Sequence, residues 1–323
     1  MLDWIQTYSQ VGADTIKQVE SQIVHLSKVE LTQFGLTYHN GYVSNPSTGR
    51  KLGVSYNYDN ETISVKACPN KFILGNNVQE ASIRDVNFMF ADLGDMFSYD
   101  FGEATVKRLD ITHTAQTELI PMAYYPFMCH QKTFFREEKN TSLYYKQQGF
   151  TKLFYDKVNE VDKRKTWGGK QKIPQELQGK NLFRFEMRLN SPKRVSNAIG
   201  LPTTESKPTL YEVVQDSSIE LLQKLWLKEY NNIDKMTELP YDFTNKKGAK
   251  QTIKEIIEVA LCQTGRLNIE KLIIQAENCG AITTKKERYD ARKVLDVFKT
   301  RASKSNLILE LDDKIKSCEP KLT

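Results

Sequence analysis

The chain has 323 residues, 39% of them hydrophobic and 10% aromatic, which is enough to bury a core and excludes a disordered protein. Lysine and arginine number 46 against 40 acids, a net charge of +6 that suits a polyanionic partner without requiring one. The five cysteines, Cys68, Cys129, Cys262, Cys279 and Cys318, form no CxxC pair, which points to a reducing compartment and away from structural zinc. No signal-peptide pattern opens the sequence. Its most apolar run, LIPMAYYPFMC at 119–129, is too short to span a bilayer and carries two prolines. A cytoplasmic protein with no membrane partner is expected.

Up to about residue 190 the pattern is one of short alternating segments. Strands are expected in IVHLSKVEL (23–31), KLGVSYNYD (51–59), TISVKAC (62–68), VKRLDIT (106–112), KLFYDKV (152–158) and LFRFEMRL (182–189). Turns separate them at 45–51 and 147–149, and helices are expected around 79–89 and 119–132. After the polar linker LPTTESKP (201–208) the texture becomes helical. Helices are predicted over 217–230, with Ser217 and Glu220 as a capping box, over 250–263, and over 268–280, ended by Gly280. The fold class is α+β: an antiparallel-sheet domain over 1–203, then a helical domain over 209–323.

Alternation puts Leu153, Tyr155 and Lys157 on one side of their strand. It also groups Val106 with Arg108, Asp110 and Thr112, and Arg184 with Glu186 and Arg188, opposite apolar faces. One sheet holding all three strands would gather Asp110, Glu186, Tyr155 and Lys157. Two carboxylates with open positions suit Mg²⁺ or Mn²⁺, and such an ion neutralises and polarises a phosphate. Tyrosine, with a reference pKa of about 10, needs a nearby cation to become a nucleophile. The competing reading is an ordinary solvated sheet face with cross-strand Arg–Glu pairs. Tyr144 and Tyr145 occupy a similar segment, so spacing alone does not choose among the tyrosines.

Four segments in order resemble the replication initiators of filamentous phages, the gene II protein family. ACPNKFILGNNV (67–78) is similar to the family's A-S-P-A-K-x-x-x-G-x-N-V block, and RLDIT (108–112) to its R-I-D-x-T strand. LFYDKVNEV (153–161) resembles Y-x-K-x-x-E-L, and LFRFEMRLNSPKRVSNAIGLP (182–202) resembles L-x-R-F-E-x-R-L followed by G-L-P. The resemblance implies a rolling-circle initiator with a Rep/relaxase-like nickase domain. Such an enzyme nicks one origin strand, stays joined to the 5′ phosphate through tyrosine, and religates at termination. It implies Tyr155 as nucleophile, Lys157 and Glu160 as the charged residues that follow it, and Asp110 and Glu186 as ligands of Mg²⁺ or Mn²⁺. Lys71, Arg108, Arg184 and Arg188 become candidate DNA contacts. Implied partners are single- and double-stranded origin DNA, a host or phage helicase and a single-strand-binding protein. The His-hydrophobe-His motif of the better-known rolling-circle nucleases is absent from the sequence.

A second candidate DNA element lies at 268–298. Helix, Gly280 turn and a helix opened by Thr284 and Glu287 resemble a helix-turn-helix, with Lys285, Lys286, Arg288, Arg292 and Lys293 on the second helix. A solvated basic helix in a small bundle explains the same pattern. Two alternatives to the initiator remain: a conjugative relaxase, and a non-catalytic helix-turn-helix regulator whose sheet domain is structural.

Overall fold

The computed structural model of the chain describes residues 1–31, 36–163, 173–202, 207–235, 266–293 and 306–317. Ten strands form one antiparallel sheet: β1 (Leu2–Gln10), β2 (Val24–Leu31), β3 (Leu36–Ser44), β4 (Lys51–Asn57), β5 (Thr62–Ala67), β6 (Thr105–Thr117), β7 (Phe135–Lys139), β8 (Ser142–Gln147), β9 (Phe150–Asp156) and β10 (Asn181–Leu189). Their spatial order is β2-β3-β4-β5-β1-β6-β10-β9-β8-β7, so the three strands expected to carry chemistry are neighbours at the centre. Around the sheet lie α1 (Ala13–Gln22), α2 (Pro69–Leu74), α3 (Ile83–Phe97), α4 (Lys157–Lys163), α5 (Pro192–Ala198), α6 (Leu210–Val213), α7 (Asp216–Asn231), α8 (Arg266–Asn278), α9 (Lys285–Lys293) and α10 (Asn306–Lys316). The fold is α+β with a large antiparallel sheet, as the alternating segments required. No helix among the described residues is long and apolar enough to cross a membrane.

Several elements differ from the sequence expectation. The stretch 119–132 is not a helix but two short 3-10 turns, Pro121–Ala123 and Tyr125–Phe127. Pro121 and Pro126 remove backbone donors there, which interrupts a longer ladder. The helix expected around 79–89 starts later, because Ser82 and Asp85 form a reciprocal capping box before Ile83. Helix α7 begins at Asp216 after Gln215, whose side chain makes no capping bond, so the Ser217–Glu220 box is not formed. Strand β9 ends at Asp156, and Lys157 opens α4 instead of continuing the strand. The helix expected over 250–263 lies outside the described residues.

One face of the sheet, the back, carries the main core. Phe185 of β10 stacks on Phe154 of β9 with centroids 4.4 Å apart, and Trp226 of α7 lies 4.6 Å from Phe185 on the other side. Phe183, Met187, Leu189, Leu109 and Ile111 are buried in the same cluster, with Leu222 and Tyr230 of α7 and Leu311 and Ile315 of α10. The linker at 201–208 therefore does not separate two cores. At its end Pro208 accepts a bond from the Val106 amide at 2.7 Å, and just beyond it the Leu210 amide donates to the Ala104 carbonyl at 2.9 Å. Helix α10 is pinned where Tyr230 donates to Asp312 at 2.8 Å and Tyr124 to Glu310 at 2.5 Å.

Two irregularities re-aim side chains. Leu2 pairs with Ile111 and Trp4 with Asp110, which leaves Asp3 as an extra residue on β1. Gln6 pairs with Arg108 but Thr7 with Val106, which leaves Lys107 as an extra residue on β6. Each bulge shifts the side-chain phase of its strand by one residue. Alternation had grouped Val106 with Arg108, whereas the second bulge sends Val106 into the core and leaves Arg108 on the front face.

Candidate active site

The front face is where the charges meet. Arg184 of β10 sits opposite Tyr155 of β9, and Arg188 opposite Asp110 of β6. Glu186 lies between the two arginines on the same face, and Asp110 (3% exposed), Glu186 (4%) and Tyr155 (7%) are all buried. Above them, α2 ends at Gly75 in the left-handed region, with φ of 74°. Asn76 then accepts from the amides of Val78 and Gln79, both at 3.0 Å, and folds the chain back over the sheet. Gly75 and Asn76 thus build the turn, and the next residue, Asn77, reaches the site.

The contacts form two linked groups. In the first, the Tyr155 hydroxyl donates to Glu186 Oε2 at 3.0 Å, and Arg188 Nε donates to Glu186 Oε1 at 2.5 Å. Arg188 also lies 3.8 Å from Asp110, whose carboxylate receives a bidentate pair from Arg108 at 2.8 and 2.6 Å. In the second, Lys157 Nζ donates to Asn77 Oδ1 at 2.7 Å and to Glu160 Oε2 at 2.6 Å, and it lies 5.8 Å from the centroid of the Tyr155 ring. Helix α4 places Lys157 and Glu160 one turn apart, which makes that pair. So Lys157 does reach Tyr155, but from a helix start and not from the strand face that alternation assigned to it.

Arg184, expected on DNA, is wholly buried. Its guanidinium is held by Thr114 Oγ1 at 2.8 Å, Asp3 Oδ2 at 3.5 Å and the Asn77 carbonyl. That arrangement removes it from contact with a strand of DNA and makes it a support beneath the tyrosine. Arg108, Arg188 and Lys71 do line the open cleft, of about 780 Å³, together with Trp4, Arg50, Lys51, Gly53, Lys66, Tyr144, Tyr155 and Glu160. Of the rival tyrosines, Tyr144 lines the same cleft. Tyr145 is buried on the other side, donating to the Met128 and Cys129 carbonyls at 2.9 and 2.6 Å.

Asp3 and Asn77 were missed from composition and spacing. Asp3 carries no motif; only the β1 bulge turns it toward Arg184. Asn77 had a signal, because it matches the asparagine of the G-x-N-V block, and its amide also donates to Asp3 at 3.3 Å.

The electrostatics describe a tyrosine at rest. Burial, then the charge of Glu186, hold the Tyr155 phenol well above its ordinary pKa, against a smaller opposing effect of Arg184. Burial and the charge of Arg184 pull Lys157 down to about 8, with Glu160 and Asp3 opposing. Lys157 does not by itself turn the phenol into a phenolate. Asp110 is pushed up to about 6, mainly by burial and secondarily by Glu186, although Arg108 bonds to it. Among the described residues no group of three or more histidine, cysteine, aspartate and glutamate side chains is arranged to hold a metal ion. The carboxylate oxygens of both acids already accept hydrogen bonds, those of Asp110 from Arg108 and those of Glu186 from Arg188 and Tyr155.

Residues 1–205 match the family model for the N-terminal region of the replication-associated gene II protein. The chain belongs to this family. No curated protein and no solved structure matches it. Membership makes the chain a rolling-circle replication initiator of the phage type that binds origin DNA. The match ends within the 201–208 linker, so the family region comprises the whole sheet and α1 to α5.

The raised pKa of Asp110 makes the stability of the protein depend on pH. Its folded pKa of about 6 exceeds the unfolded reference of 3.8, so the native state binds an extra proton between those values. Stability from this group is greatest below about pH 4 and is lost as pH rises through about 6. Asp110→Asn should therefore stabilise the protein increasingly from pH 4 to 6 and level off above, by on the order of 2 to 3 kcal/mol. Urea titrations of both proteins across this range measure it. A difference that is flat with pH would refute the raised pKa that burial gives Asp110.

Proposed function

We propose that Tyr155 is the nucleophile with which this initiator nicks one strand of origin DNA and stays joined to the 5′ phosphate. The observation that carries the reading is the hydrogen bond from its hydroxyl to Glu186 on the floor of a cleft lined by basic side chains. Glu186 accepts the phenol proton as the Tyr155 oxygen attacks in line. The Tyr155 O–P bond forms, the P–O3′ bond breaks, and the 3′ oxygen leaves as a hydroxyl with a proton from water. Religation reverses these steps: a 3′ hydroxyl attacks, and Tyr155 recovers its proton from Glu186. Because the phosphodiester energy is kept in the protein–DNA bond, no ATP is required.

Lys157, largely protonated at neutral pH with a pKa of about 8, steadies the negative charge that grows on the phosphate. Glu160 and Asn77 orient it. Asp110 and Glu186 are the residues that would hold Mg²⁺ or Mn²⁺, and the ion, when bound, neutralises the scissile phosphate. Arg108 and Arg188 keep the two carboxylates in place and compensate their mutual repulsion. The same chemistry would serve a relaxase at a transfer origin; membership of the replication-associated family favours the initiator.

Duplex recognition is assigned to α8 and α9. Gly280, at φ of 78°, follows α8, and α9 opens with Thr284 accepting from the Glu287 amide at 3.2 Å while Glu287 accepts from the Thr284 amide at 2.9 Å. Lys285, Lys286 and Arg288 are exposed along α9. Arg292 lies within 3.3 Å of Glu277 of α8, which braces the pair. These features support a helix-turn-helix that positions the nicking domain on the origin.

Tyr155→Phe should fold and bind DNA normally, yet neither nick a supercoiled plasmid bearing the cognate origin nor rejoin it. With the wild type, a labelled single-stranded origin oligonucleotide should leave a covalent adduct that peptide mapping places within 153–157. An adduct on Tyr144 would move the nucleophile, and cleavage without any adduct would make water the attacking group.

Glu186→Gln should lose cleavage by at least about a hundredfold, the scale of general acid–base catalysis. Chelator should stop the wild type as well. Retention of full activity by Glu186→Gln at ordinary Mg²⁺ would exclude Glu186 both as base and as ligand.

Changing Lys285, Lys286 and Arg288 together to glutamine should weaken duplex origin binding. It should also flatten the slope of log affinity against log salt by ~0.9 for every phosphate no longer neutralised. Cleavage of the single-stranded oligonucleotide should not change. The opposite pattern, an unaltered duplex slope with cleavage abolished, would refute a separate duplex-reading helix.

A further inference from the structure

Gly53 interrupts the interior of β4, where glycine weakens a strand by leaving nothing to pack and by its backbone entropy. Nothing in the fold explains it. Its φ lies outside the left-handed region, and a Cβ there would meet only Lys66 Cβ at 3.7 Å and the Lys66 carbonyl at 3.9 Å, both ordinary contacts. Gly41 of β3 is the contrast: a Cβ at that position would strike Ile23 Cδ1 at 2.6 Å and the Val24 carbonyl at 2.7 Å. Gly41 is required by packing, and Gly53 is not.

What Gly53 leaves bare is part of the front face. The strand registers place Tyr42, Gly53, Lys66, Gln6 and Arg108 in one row across β3, β4, β5, β1 and β6. The next row includes Lys51 and, further on, Trp4, Asp110 and Arg188. Gly53, Lys51, Lys66 and Trp4 belong to the same cleft as Tyr155. Cations accompany aromatic rings along this face: Lys51 Nζ lies 3.7 Å from the Tyr42 centroid, Lys107 Nζ 3.6 Å from that of Tyr8, and the Arg108 guanidinium 5.6 Å from that of Trp4. Lys66 is exposed and makes no ion pair among the described residues. Aromatic rings interleaved with cations are the chemistry that binds single-stranded nucleic acid, rings for bases and cations for phosphates.

We propose that Gly53 and Tyr42 form a nucleobase subsite, in which one base of the single-stranded substrate arm lies over the bare backbone of Gly53 against the Tyr42 ring. Lys66 and Lys51 meet the flanking phosphates. The subsite lies five strands across the sheet from Tyr155 and in a different row, meeting β6 at Arg108 where the Tyr155 row meets it at Thr114, so it grips the strand several nucleotides from the scissile bond. This rests on the reading that the cleft takes single-stranded DNA, and not on which residue is the nucleophile.

The test uses the full chain and fluorescein-labelled oligothymidylate, with an abasic deoxyribose-phosphate oligomer of equal length as the backbone-only probe. The wild type should prefer oligothymidylate over the abasic oligomer by about tenfold, the scale of one base–aromatic stack. Gly53→Val should erase that preference while its melting temperature stays equal or rises, because valine suits a strand interior. Gly53→Ala should lose part of it, and Tyr42→Leu nearly all of it. A folded Gly53→Val that keeps the wild-type preference overturns the proposal. Should the valine variant unfold, full preference in Gly53→Ala and Tyr42→Leu overturns it equally. Tyr155→Phe should keep the preference, so a missing tyrosine adduct counts against the nickase chemistry alone, and a Gly53-independent preference against the subsite alone.

Discussion

Arg184 is a guanidinium with no exposure to water at the centre of a ten-stranded sheet. A buried charge is tolerated only when paired and hydrogen-bonded, and breaking one side of such a pair costs several kcal/mol. The partners of Arg184 come from three separate parts of the chain: Asp3 of the bulged β1, Thr114 of β6, and the carbonyl of Asn77 in the turn after α2. Satisfying this one group therefore fixes the bulge, the central strand pair and the turn that roofs the front face. Tyr155 sits directly across from it in the register, so the same constraint sets the floor on which the phenol rests.

Around that floor the protein balances charges rather than neutralising them separately. Asp110 and Glu186 repel each other, and Arg108 and Arg188 hold them together. Lys157 is drawn in by Asn77 and Glu160, and burial lowers its pKa. The phenol stays protonated in this resting arrangement. A group with so high a pKa reacts only when its proton has an acceptor at hand and when positive charge gathers at the phosphate, which is why the Glu186 contact and the Asp110–Glu186 pair carry the proposed chemistry together.

Stability and chemistry are divided between the two faces of the sheet. The back is an aromatic stack running from Phe154 through Phe185 to Trp226, sealed by α7 and α10. Because the chain returns after α9 to dock α10 through Asp312 and Glu310, the helices assigned to duplex recognition are flanked on both sides by segments fixed to the sheet. The front face is free to hold charged side chains, exposed cations and a bare glycine, none of which the core would accept.

Alternation alone made six of the ten strands legible, the neighbouring β6, β9 and β10 among them, together with the residue types at the site; β1, beside β6, was not expected. Period-two alternation with a continuous apolar side in LFRFEMRL admits one register, since a slip by one residue would bury arginine against Trp226. Four ordered motifs named Tyr155, Asp110, Glu186, Lys157 and Glu160 as candidates, and these residues lie along one cleft or bond to its lining. Tertiary structure decided what alternation cannot encode. A bulge changes the phase of a strand without leaving a residue signature, so Asp3 entered the site and Val106 left the front face. Strand β9 stopped at Asp156 because the following residues continue as a helix, so Lys157 approaches Tyr155 from a different element. Arg184 looks in sequence like Arg188, four positions on, yet one is a buried support and the other lines the cleft. What separates them is the turn after α2 that closes over only one of the two, a long-range contact that no local pattern contains.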